Sequence, residues 1–153
     1  MVYQTTLFNA FTGITPVEKS AVVRFLCEHT ENTTSHNVVE AVEYAVKHKP
    51  SFGGFVLIAK KGKQIVAAVV ANCTGMEGYN PKNIFVFVSF HKKHRNDEAL
   101  VKQLMQKAIR YADGEIALHV EPDNPALKMY QKMGFKAQYL ELRFNKAEAS
   151  APV

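Results

Sequence analysis

The stretch HKKHRNDEALVKQL, His91 to Leu104, follows an apolar strand-like run and opens a helix, with His91, Lys92, Lys93, His94 and Arg95 just before the helical part. Backbone N–H groups at a helix N-terminus favour anions, and the nearby cations add to that, so the chemistry on offer is a grip on phosphate. The usual device is a glycine-rich turn, which lets amides approach a phosphate unobstructed. Here Asn96, Asp97 and Glu98 occupy the turn instead. The same carboxylates suit a plain helix start, where they oppose the positive end of the dipole. On these residues alone, phosphate binding and a solvated charged surface both stay open. Lys102, Lys107 and Arg110 continue the charge along the helix, but no aromatic residues are interleaved, so nucleic acid is not favoured as a partner.

The elements that must position this turn follow from hydrophobic period and punctuation. A first strand is expected over Val2 to Phe8. Thr15, Pro16 and Glu18 then form a capping-box signature, opening a helix with Val22, Phe25, Leu26 and His29 along one side. Val38, Val39, Val42, Ala45 and Val46 repeat the helical spacing in a second helix that Pro50 ends. FVLIAKKGKQIVAAVVA reads as a hairpin turning at Gly62, and NIFVFVSF as the next strand. Their near-continuous apolar character implies cover on both faces.

Leu100, Val101, Leu104, Ala108 and Ala112 make a helical stripe ending near Gly114, and Ile116, Leu118 and Val120 alternate as a strand. Strand, helix, strand is a crossover unit with parallel strands. A short helix carrying Ala126, Met129, Tyr130 and Met133 closes at Gly134, and FKAQYLELRF supplies a last strand. The order βααβββαβαβ predicts one α/β domain over residues 1–145, a mixed sheet with helices on both faces, and a disordered tail over 146–153.

At 153 residues and 47% hydrophobic, the chain suffices for one core, and its charge of +5 attracts anions without naming them. MVYQTTLFNA lacks a basic region leading into an apolar stretch, and no run approaches the roughly 18 apolar residues of a membrane helix. A soluble, cytoplasmic protein without membrane partners is expected. Cys27 and Cys73 are too few and too distant for a disulfide framework or a zinc site, so both are expected as reduced thiols in or near the core, with no metal.

LHVEPDNPALKMYQKMGF, Leu118 to Phe135, resembles the last part of the GNAT acyltransferase superfamily, through Asn124, Ala126, Tyr130, Gly134 and Phe135. The order of elements is similar to that family's fold as well. Measured back from Tyr130, the family's Asn falls on Asp123, one place before Asn124. The family's pyrophosphate turn, Gln/Arg-x-x-Gly-x-Gly/Ala, is not restored: with Arg95 leading, Glu98 and Leu100 stand at the glycine positions, and with Asn96 leading, Ala99 and Val101 do.

The resemblance implies an N-acetyltransferase that takes its acetyl group from acetyl-coenzyme A, with no metal, and delivers it to an amine of a small molecule or peptide. It implies that a main-chain amide among Ser89, Phe90 and His91 meets the thioester carbonyl and that Asp123 or Asn124, together with Ala126, meets the pantetheine arm. Pyrophosphate would lie on the first helical turn, Asn96 to Val101, with Lys93 or Arg95, while Asp97 and Glu98 turn to solvent. Tyr130 would be the general acid at the leaving sulfur. His119 and Glu121 alternate to one face of their strand, and either could take the amine proton; a packed strand histidine is the plainer reading. Glu77 and Tyr79 in the loop TGMEGYNPKN could line the acceptor pocket, or simply connect strands. The alternative is a non-catalytic binding or structural protein of this fold that has lost coenzyme A affinity with its glycines. A homodimer is left open.

Overall fold

Thr15 opens the first helix as the capping box predicts: its Oγ1 accepts from Glu18 N at 3.1 Å while Glu18 Oε1 accepts from Thr15 N at 2.9 Å. This helix, α1 (Pro16–His29), follows strand β1 (Tyr3–Phe8) and buries Val22, Phe25 and Leu26. The computed structural model describes residues 3–31 and 33–149, so Val2, expected to begin the first strand, lies outside the described residues. Helix α2 (Ser35–Ala45) buries Val38, Ala41, Val42 and Ala45. It ends well before Pro50, because Lys47 turns to φ 62° and His48 N donates back to Glu43 O at 2.9 Å. That is a left-handed closure more often made by glycine.

Strands β2 (Gly54–Lys61) and β3 (Gln64–Cys73) form the predicted hairpin, with Gly62 at φ 62° in the turn. Strand β4 (Asn83–Phe90) pairs antiparallel with β3, helix α3 (Glu98–Tyr111) crosses over, and β5 (Ile116–Leu118) returns parallel to β4. The single mixed sheet has the order β1-β2-β3-β4-β5. Successive strand residues face opposite sides. Val56, Ile58, Ala68 and Val70 join the core built with α1 and α2, while Leu57 and Val69 are buried on the other face. There Phe55 meets Tyr111 of α3 edge-on at 6.2 Å. Helices on both faces explain why these strands read as unbroken apolar runs. Cys73 is half-buried, but Cys27 is exposed and not a core thiol, since it follows Leu26 on the outward side of α1.

The chain divides into two compact units, Met1–His119 and Val120–Val153. The second contains α4 (Leu127–Lys132) and a terminal turn, α5 (Lys146–Ala149), in place of part of the expected disordered tail; residues 150–153 lie outside the described ones. The strand expected over Phe135–Phe144 is not formed: among the described residues no strand pairs with it, and Leu140, Leu142 and Phe144 stand exposed. Alternation of apolar residues gives a strand only where a neighbour completes the hydrogen-bond ladder.

Candidate active site

Strands β4 and β5 pair only from Asn83↔Ile116 to Phe85↔Leu118. Asn83 locks this end: it is 2% exposed, its Nδ2 donates to Asp113 O at 2.6 Å and its N–H to Glu115 O at 3.1 Å. Beyond Phe85 the strands part. At the same place the register with β3 passes from Ala71↔Phe85 to Val70↔Phe87, so Val86 is an extra residue, a β-bulge. His91 N–H donates to Val66 O of β3 at 2.8 Å. Because ladder groups alternate, the amides of Phe90 and Val88 face the other way, toward the edge that β5 has left. This half of β4 offers main-chain donors to an extended ligand with amides of its own, or to a carbonyl oxygen.

The turn after β4 is heavily tied down. His91 opens a 3₁₀ turn over Lys92–His94, accepting at Nδ1 from Lys93 N at 3.1 Å. The rings of Phe25, His29, His91 and His94 form a column, with successive centroids 4.7, 4.3 and 5.7 Å apart. Arg95 straps this column to the body: Nη2 donates to His29 O at 3.1 Å and Nε to Phe90 O at 3.4 Å. Its guanidinium is therefore engaged, whereas Lys92 and Lys93 are exposed. The His29 side chain is 9% exposed, and its Nδ1 accepts from Lys92 N at 3.3 Å. Burial, and then the charge of a protonated His91, lowers its pKa below the usual 6.5.

Asp97 is half-buried, and its carboxylate is engaged within the chain. It caps α3, with Oδ1 accepting from Leu100 N at 3.1 Å and Oδ2 accepting from the Tyr3 hydroxyl at 2.6 Å. The tyrosine bond and then the amides of Leu100 and Ala99 hold its carboxyl below the ordinary range. Val101 N bonds Asp97 O at 3.1 Å. An internal carboxylate thus takes the Ala99 and Leu100 amides that the sequence offered to phosphate. Glu98 is exposed in the first turn.

In the second unit, Asn124 Oδ1 accepts from Ala126 N at 2.8 Å, and Leu127 N donates to Asn124 O at 3.0 Å, which starts α4. Gly134 at φ 110° closes it, with Phe135 N donating to Tyr130 O at 3.1 Å. The rings of Tyr130 and Phe135 meet edge-on at 6.2 Å. This is a Schellman closure with its apolar contact, so the spacing of Tyr130, Gly134 and Phe135 has a local structural cause. Tyr130 is 5% exposed, and burial pushes its phenol up to about 12. It therefore holds its proton at neutral pH.

The Ser89 hydroxyl lies 2.7 Å from Thr30 Oγ1 and donates to His29 O at 2.8 Å, a link between β4 and α1. Strand β5 stops at Leu118, so strand alternation does not bring His119 and Glu121 to one face; both are exposed. Glu77 pairs with Lys82 at 3.4 Å, and Tyr79 is exposed, both in the loop preceding β4, at the opposite end of that strand from the His91 turn. Sequence reasoning missed the bulge at Val86, for which no residue type gives a signal, and the part played by Tyr3. The helical spacing puts Phe25 and His29 on one side of α1, but nothing in it announces that His91 and His94 stack onto them. Among the described residues, no group of three or more His, Cys, Asp or Glu could hold a metal, and no helix is long and apolar enough to cross a membrane.

The sequence profile of the "Acetyltransferase (GNAT) family" matches residues 23–135, well over half of the chain. No curated protein matches significantly. Similar solved structures include AAC(6')-Iy in complex with the bisubstrate analog CoA-S-monomethyl-acetylneamine, 12% identical, covering 93% of this chain and 97% of that one with a TM-score of 0.67. A transcriptional regulator from Bacillus halodurans C-125 is 19% identical, over 93% and 99% of the two chains, TM-score 0.61. The aminoglycoside 6'-N-acetyltransferase AAC(6')-Ih from Acinetobacter baumannii is 16% identical over 93% and 97%, TM-score 0.58. At these identities the likeness is one of fold.

Proposed function

Because the chain belongs to the acetyltransferase (GNAT) family, we propose that it transfers an acetyl group from acetyl-coenzyme A to a primary amine of a small molecule or peptide. The observation that carries this reading is the parting of β4 from β5 at the Val86 bulge, which leaves the Val88 and Phe90 amides facing an open edge. Those donors fit the amide-bearing arm of coenzyme A. Acetyl-coenzyme A supplies an activated thioester, so the protein needs chiefly to hold, orient and polarise. The Val88 or Phe90 N–H would donate to the thioester oxygen, Asn124 and Ala126 would meet the arm, and Tyr130, protonated at neutral pH, would give its proton to the sulfur. His119 and Glu121 are exposed candidates for taking the amine proton. The aminoglycoside acetyltransferases among the similar structures make amine-bearing small molecules the first acceptors to try.

Asp97 favours a second reading, a binding or structural protein of the family with weakened coenzyme A affinity, because its carboxylate stands at the amides a pyrophosphate would use. Titration calorimetry with acetyl-coenzyme A and with coenzyme A separates the two. The enzyme reading expects saturable heat with both and acetyl transfer to an amine. Folded protein that gives no heat at millimolar ligand overturns it.

A further inference from the structure

Strand β1 lies at one edge of the sheet, and side chains alternate along a strand, so Tyr3 and Thr5 point to the same side. Both are fastened to α3. The Tyr3 hydroxyl donates to Asp97 Oδ2 at 2.6 Å, and Lys107 Nζ donates to Thr5 Oγ1 at 2.9 Å. The Tyr3 ring also meets the ring of His94 edge-on at 6.3 Å. Asp97 thus divides its oxygens, Oδ1 on the Leu100 amide and Oδ2 on the phenol. Capping α3 requires only the first of these bonds. A phenylalanine at position 3 could fill the same place against His94, so what the tyrosine adds is a donor aimed at one carboxylate.

We propose that Tyr3 is a positioning residue for coenzyme A: by donating to Asp97 it keeps the carboxylate on the α3 cap and offsets its charge where pyrophosphate approaches the turn. The inference rests on the coenzyme A reading above, with pyrophosphate at the first turn of α3. In that reading the exposed Lys92 and Lys93 attract the ligand, while Asp97 and Glu98 work against them. Glu98 is exposed, so water and salt screen it and its side chain can turn away. Asp97 is half-buried and pinned by its own cap, so it can do neither as fully. A bond of this length to a carboxylate is charge-assisted, and it turns the positive end of the O–H dipole toward the negative charge. The field that reaches a neighbouring anion is reduced accordingly. One donor on this one acid therefore lets a turn without glycines keep its cap and still admit a phosphate.

The test is a double-mutant cycle of Tyr3→Phe and Asp97→Asn, with coenzyme A affinity read by calorimetry at low and high salt and folding checked by circular dichroism. Tyr3→Phe should weaken binding roughly two- to five-fold, the upper end being what a unit charge about 4 Å away is worth in water. The loss should shrink as salt is added and vanish when residue 97 is already asparagine. In the free protein, carboxyl NMR should show the Asp97 titration moving up in Tyr3→Phe, since the tyrosine bond is the first cause holding it low. A tyrosine that merely props the turn would lose affinity equally in both backgrounds and at both salt concentrations. That result, or binding that ignores Tyr3→Phe while Asp97→Asn strengthens it, overturns the proposal and leaves pyrophosphate at the turn. Coenzyme A that fails to bind, or that binds with indifference to both substitutions, removes the pyrophosphate from the turn and the proposal with it.

Discussion

The His91–Glu98 turn and the Asn124–Phe135 segment both looked like grips on a cofactor, yet the structure spends most of their distinctive residues on local tasks. In the turn, a carboxylate caps α3 and an arginine straps the ring column. In the segment, an asparagine starts α4, and Gly134 with Phe135 closes it. The difference lies in what is left over. The segment retains one buried phenol that holds its proton, whereas the turn has consumed its Ala99 and Leu100 amides and its Arg95. Chemistry is to be sought in groups that folding has not used, namely the Tyr130 hydroxyl and the outward amides of β4.

The largest effect should come from that hydroxyl. Tyr130→Phe keeps the ring contact with Phe135 and removes only the hydroxyl, so kcat should fall about 10²-fold or more while coenzyme A affinity stays near wild type. The melting temperature should hardly move. Steady-state kinetics alongside calorimetry decides this, and an unchanged kcat leaves Tyr130 as a core residue alone.

Gly134→Ala addresses the structural half of the same motif. A Cβ there meets nothing within 4 Å, so the cost is the backbone at φ 110° and not a clash. A loss of about 1–2 kcal/mol is expected in urea unfolding. No loss would mean that α4 can close without the left-handed residue, and the spacing of Tyr130, Gly134 and Phe135 would need another cause.

Much of this architecture was legible in the sequence because single residue types forced it. Thr15 with Glu18, Gly62 between β-branched runs, and the stripe from Leu100 to Ala108 each specify a local geometry that their surroundings reinforce. The failures share a cause: they depended on what stands next door. FKAQYLELRF has a strand's alternation but no neighbouring ladder. His119 lies beyond the point where β5 stops, and the bulge at Val86 follows from how β4 meets two neighbours at once. Asp97 suits a helix start by its type alone and caps α3 through Leu100, three residues on, but its bond to Tyr3 joins residues ninety-four positions apart.

Asp97→Asn sharpens the comparison from the side of the turn. Asparagine caps a helix as well as aspartate does, so the geometry should persist while one negative charge disappears from the place proposed for pyrophosphate. A unit charge about 4 Å from another is worth about 1 kcal/mol in water, which converts to roughly a five-fold gain in coenzyme A affinity. The gain should shrink as salt is added. An affinity indifferent to this substitution would place the pyrophosphate away from the turn.

The smallest effect concerns the column that holds the turn. In the folded chain the pKa of His29 is lowered by burial, then by the charges of His91, Lys92 and Arg95, with Glu28 acting in the opposite sense. The unfolded chain then binds the proton more readily near the ordinary value of 6.5. The stabilisation from neutral His29 is therefore complete above that pH and is lost as the pH falls from it through the lowered folded value. Protonation also removes the Nδ1 lone pair that accepts from Lys92 N, so the start of the 3₁₀ turn loosens in the same window. Urea midpoints measured at mildly alkaline and mildly acidic pH should show wild type losing stability on acidification, and His29→Asn losing less. If the two proteins lose stability in parallel, the pH response lies elsewhere and the ring column holds the turn whether or not His29 is charged.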